Sequence, residues 1–130
     1  MTYRLLTRYT RDDFDTLAEA QWMLRHLAWS EDDGAYLGMD RGRVVAAIYP
    51  MMNELEEDDT MTTYTNPMMT TDMIDRAWPI AAAYCRARVA VGLRPDLEDG
   101  YALSHGDDLM AYALRTAIYE WSQMHVETMP

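Results

Sequence analysis

The chain contains no lysine; all 11 of its basic residues are arginine. It therefore offers no side-chain amine to be acylated. It holds one cysteine, Cys85, which excludes an internal disulfide and fits a reducing compartment. No apolar run is long enough to span a bilayer. The N-terminal "MTYRLLTRYT" lacks the long apolar core of a secretion signal. A soluble, cytoplasmic protein is expected. Several signatures are also missing: a Walker loop, a dinucleotide-binding glycine fingerprint, a zinc-type CxxC, and any HxxxH or HExxH pairing.

Positive charge is scarce. Against 11 arginines stand 22 acidic residues, a formal net charge of -11. A field of that sign repels nucleic acid, anionic lipid and free phosphate, and it attracts basic protein surfaces. The expected partner is the basic surface of another protein, with no nucleic acid and no membrane. No feature of the sequence fixes an oligomeric state. The 130 residues fit one domain, 1–130, with a real core, and 49% of them are apolar, so the chain should fold.

The hydrophobic pattern predicts a small α+β fold. "TYRLLTRYT" (2–10) reads as a strand. A helix is expected over 12–29, with Thr10 as its cap and Phe14, Leu17, Ala18, Ala20, Leu24, Leu27 and Ala28 at helical spacing. "AYLGMDRGRVVAAIYP" reads as a hairpin, strands 35–40 and 43–50, turning at Gly42. "NELEEDD" (53–59) has five acids in seven residues and should be a solvated loop. "TMTTYT" (60–65) reads as a strand. A helix follows over 71–90, kinked or divided at Pro79. "GLRPDLEDG" is loop-like, "YALS" a brief strand, and "VETMP" an edge strand. Asp107 should cap a last helix bearing Met110, Ala113, Leu114, Ala117, Trp121 and Met124. The expected sheet is small and mixed, in the order strand, helix, hairpin, strand, helix, helix.

Few residues invite chemistry. "HGDDL" sets His105 beside Asp107 and Asp108, which reads more simply as a helix cap with a surface histidine than as a metal or acid–base cluster. Cys85, in "AAAYCRAR", reads as a buried small hydrophobe and not as a nucleophile.

Three stretches, "YRLLTRYTRDDFDTLAEA", "AYLGMDRGRVVAAIYP" and "AYALRTAIYEWSQMHVE", resemble the opening strand and helix, the second and third strands, and the late helix of the GNAT acyltransferase family. The resemblance implies that family's fold. It also implies, for an active member, an acetyl-CoA-dependent N-acetyltransferase in which Tyr119 protonates the leaving thiolate and Glu54 or Glu56 serves as base. Read from its helix stripe alone, Tyr119 is a core tyrosine. The family's strand–helix junction carries Q/R-x-x-G-x-G/A, whose glycines let backbone N–H groups reach the cofactor pyrophosphate. Here the junction reads "NPMMTTDMIDRA", with Met68 and Met69 in place of glycines and Asp72 and Asp75 turned toward the phosphates. The resemblance thus points to a degenerate member that binds no cofactor.

What the junction does carry is methionine beside acid. There are 12 methionines, and Met51, Met52, Met61, Met68, Met69 and Met73 crowd one third of the chain. An adaptable apolar patch rimmed by acids suits a basic partner. Met51, Met52, Glu54, Glu56, Glu57, Asp58, Asp59, Met68 and Met69 are the expected contact residues. The expected function is a small acidic protein-binding domain. It is similar to phage accessory proteins that act as virion components or as inhibitors of host enzymes or defence systems, placed in host cytoplasm or virion. An acetyltransferase with an atypical cofactor loop and an acidic DNA mimic are the alternatives.

Overall fold

The computed structural model describes residues 2–51, 71–104 and 106–125. Strand β1 (Thr2–Leu6) ends earlier than its composition suggests. The hydroxyl of Thr7 accepts from the backbone N–H of Tyr9 and of Thr10, and Thr7 N–H donates to the Thr10 carbonyl at 2.9 Å. This local bonding competes with the strand and turns the chain. It returns as β2 (Arg11–Phe14), in continuous register from Tyr3 opposite Phe14 to Leu6 opposite Arg11.

Helix α1 (Leu17–Met23) is therefore much shorter than the predicted 12–29, and its cap is Thr16, not Thr10. The Thr16 hydroxyl accepts from Glu19 N–H at 3.1 Å. "TLAE", 16–19, is the T-x-x-E spacing of a helix start. The chain then turns into a second unexpected strand, β3 (Ala28–Asp32). The helical spacing over 14–28 marked a shared core face, not one continuous helix. Phe14, Leu17, Ala20, Leu24 and Leu27 all pack in one cluster with Leu5, Ala46 and Ile48.

Two tight hairpins follow. Asp33–Gly34 joins β3 to β4 (Ala35–Asp40), and Arg41–Gly42 joins β4 to β5 (Arg43–Met51). All four turn residues have positive φ, at 57°, 86°, 57° and 80°, as two-residue turns matched to strand twist require. The predicted second hairpin is thus present at almost its predicted bounds. Each neighbouring pair is antiparallel, and the order is β2-β1-β5-β4-β3. The fold is α+β. The described sheet is antiparallel where a mixed one was expected, because every described neighbour arises from a hairpin or from β1 lying back against β5. The predicted strands at 60–65 and 126–130 fall outside the described residues.

The sheet has a helix layer on each face. α1 covers Leu5, Ala46 and Ile48. α2 (Thr71–Ala90), α3 (Asp99–Leu103) and α4 (Asp108–Met124) cover Leu6, Leu37, Ala47, Tyr49 and Met51. α2 meets its neighbours through Ala77, Ala81, Ala83 and Ala87, whose small side chains permit close approach. It runs undivided through Pro79. Pro79 and Asp75 both lie on the exposed side, so the carbonyl that loses its donor faces water. The β3–β4 turn rests on this helix: a Cβ on Gly34 would lie 3.3 Å from Ala83 Cβ, and Arg86 Nη2 lies 2.8 Å from Asp32 Oδ2.

"YALS" is helical where a strand was expected. Its segment is anchored by tertiary bonds. The Tyr84 hydroxyl donates to Asp99 Oδ2 and accepts from Asp96 N–H at 3.0 Å. α4 begins as predicted, with Asp107 Oδ1 accepting from Met110 N–H at 2.9 Å.

Candidate protein-docking site

The expected contact residues do not assemble into a described surface. Met51 is a core residue, 4% exposed at the end of β5 and packed toward the helices. It is corrected from surface to interior, because β5 alternates and its position shares a face with Ala47 and Tyr49. Met52, Glu54, Glu56, Glu57, Asp58, Asp59, Met68 and Met69 lie outside the described residues. Tyr119 is 53% exposed, so the core placement read from its stripe is also corrected. It lines an open cleft with Leu97, Glu98, Tyr112, Arg115 and Thr116. Tyr119 is separated by one residue from Ala117 and adjacent to Ile118, both fully buried, and that 100° rotation per residue carries it out of the core.

Buried groups elsewhere have environments that keep them inert. Burial pushes the Cys85 thiol up to about 12, far from the thiolate range of a nucleophile. Burial likewise raises the Tyr84 phenol, helped by its bond to Asp99. The Tyr49 phenol is raised by burial, with Arg4 beside it pulling the other way. Among the described residues no group of histidine, cysteine and carboxylate side chains is placed to hold a metal ion. None of their helices is long and apolar enough to cross a membrane.

One open cleft combines apolar walls with acids. It is about 500 Å³ in volume and lies between β2 and α1, lined by Asp13, Phe14, Asp15, Ala18, Glu19, Trp22 and Met23. α1 turns Leu17, Ala20 and Leu24 to the core, so Ala18, Trp22 and Met23 face outward. Trp22 is 62% exposed and Met23 56%. Two adjacent large apolar side chains exposed on one helix of seven residues are not needed for folding. Arg25 lies over the Trp22 ring, 4.1 Å from its centroid, so this indole already holds a guanidinium on one face.

The acids of the cleft are not equivalent. Asp13 is held by Arg4, whose Nε and Nη2 donate to its two carboxylate oxygens at 2.7 and 3.0 Å. That pairing holds the Arg4 guanidinium charged beyond its ordinary range. Asp15 and Glu19, and Asp12 outside the cleft lining, have no ion-pair partner among the described residues. The cleft thus presents a fixed apolar wall and unneutralised carboxylates at its rim.

Sequence reasoning passed over this site. A signal was present: on a helix with Leu17, Ala20 and Leu24 inward, Trp22 and Met23 fall off the buried stripe. No family model matches the chain, and neither a curated protein nor a solved structure is significantly similar to it.

Proposed function

We propose that this protein is a small acidic protein-binding domain, a non-catalytic accessory protein of the phage type, that docks a basic segment of another protein in the α1–β2 cleft. The observation that carries the reading is the exposed Trp22–Met23 wall beside the unpaired Asp15 and Glu19. The indole and thioether supply contact area that water solvates poorly, and the acids select a positive partner and steer its approach. The net charge of -11 adds long-range attraction of the same sign.

The test uses a fluorescein-labelled decapeptide of alternating arginine and valine, with a glutamate–valine peptide as control. Anisotropy should show micromolar binding of the arginine peptide alone, weakening with salt. Trp22→Ala should reduce affinity about tenfold or more, the loss of a central aromatic anchor, without lowering the melting temperature. Asp72→Asn with Asp75→Asn, on the opposite face of the sheet, should change it far less. Equal binding of both peptides, or full affinity in the Trp22→Ala protein, would defeat the reading.

No acyl cofactor enters this proposal. Asp72 stands exposed in the first turn of α2, where a phosphate-binding helix would need bare N–H groups. Calorimetric titration with acetyl-CoA should give no dissociation constant tighter than about 1 mM. A micromolar value would revive the acetyltransferase.

A further inference from the structure

Resting on that docking site, we infer that the bound segment lies extended along β2 and joins the sheet as an additional edge strand. β2 closes one side of the sheet, and among the described residues it pairs only with β1. Alternate residues of a paired strand direct their N–H and C=O groups away from their partner, so β2 offers an edge that no described strand pairs with. The edge carries no proline, and its register with β1 is unbroken over all four residues. At the opposite edge, the β3–β4 hairpin is tied back to α2 through Asp32 and Arg86.

The charges on β2 decide what can occupy the edge. A second copy of this chain pairing β2 on β2 would set Asp12 and Asp13 against the same acids, and like charges opposite one another destabilise a strand pair. A basic strand meets the reverse situation. Asp12 and Phe14 lie opposite Leu5 and Tyr3, which face α1, so both belong to the face bearing the cleft. The Asp13 carboxylate, although Asp13 borders the cleft, is already neutralised by Arg4. The occupant is therefore an extended segment with a basic residue opposite Asp12 and an apolar residue two positions away, opposite Phe14 and against Trp22 and Met23. Its intervening residues face Arg11 and Asp13 and need no charge.

An edge strand bonds through only one of its own two edges, and this gives the test. A decapeptide repeating Arg-Ser-Val-Ser, which sets arginine and valine two positions apart on one strand face, is made in two versions, one N-methylated at odd residues and one at even residues. With the wild-type protein, one version should bind about tenfold or more weaker than the unmethylated peptide and the other nearly as well, since only one set of N–H groups bonds to β2. Amide exchange at Arg11–Phe14 should slow in the unmethylated complex. Equal affinity of the two methylated versions, whether both are unchanged or both are lost, overturns the strand mode. If the unmethylated peptide still binds in a Trp22-dependent way, the docking cleft survives that result. If it does not bind, both fall.

Discussion

Gly100→Ala is expected to destabilise the protein by about 3 kcal/mol, the upper part of the range for overpacking. Gly100 is buried in α3 where that short helix crosses α4. A Cβ there would lie 2.5 Å from Arg115 Cγ and 2.8 Å from the Ala111 backbone oxygen. The arginine stem can rotate away. The carbonyl belongs to a regular helix and cannot, so α3 must lift from α4. Lifting it strains the bonds from Tyr84 to Asp96 and Asp99 that fix the loop between α2 and α3. Urea denaturation should show a lower midpoint, and the melting temperature should fall by about 10 °C. Gly42→Ala is the contrasting control. Nothing lies within 4 Å of a Cβ at Gly42, so its cost is confined to the strain of a positive φ. A Gly100→Ala protein as stable as wild type would show that the α3–α4 contact is looser than described.

Alkaline pH should unfold the protein through its buried acids. The Cys85 thiol is pushed by burial from 9.0 to about 12. Between those values the folded state keeps a proton that the unfolded state releases. Stability is thus fully present below about pH 9 and declines as pH rises toward 12. For a change of that size the linked loss reaches about 4 kcal/mol. The raised phenols of Tyr49 and Tyr84 act in the same direction above their ordinary 10.0. The urea midpoint should be flat from pH 7 to 9 and then fall steeply. In Cys85→Ala the fall should begin about one pH unit higher, where the tyrosines take over. The native thiol should resist Ellman's reagent at pH 8 and react once the protein is unfolded. A midpoint at pH 10.5 equal to that at pH 8 would contradict the burial of these groups.

Some features were legible because they depend on neighbours in sequence. The turn at Arg41–Gly42 needs only a residue that tolerates positive φ, and the start of α4 needs only the Asp107 side chain three residues before Met110. Cys85 among alanines was legible as a buried hydrophobe for a similar reason. Other features were not. "RDDF" is acidic enough to pass for a helix start, and it becomes a strand because β1 offers a partner and Thr7 supplies the turn. "AWSED" begins inside the expected helix, with Ala28 at helical spacing, yet it pairs with β4 through Asp33–Gly34.

The sequence by itself determined the fold class of this protein and the sign of its own charge. Composition sets the charge of -11 and the absence of lysine, and local turn and capping residues set the second hairpin and the last helix. Periodicity determined which residues are apolar toward a core, but not which elements carry them. Tertiary structure decided that Phe14 and Leu17 reach the same cluster from a strand and a helix, that Met51 is interior, and that Tyr119 is not. It also placed Trp22 and Met23 beside β2, the edge strand of the described sheet. The physical reason is that side-chain charge and turn preference are properties of a few adjacent residues. Which strand lies at an edge, and which helix face is left uncovered, depends on pairings between segments distant in the chain.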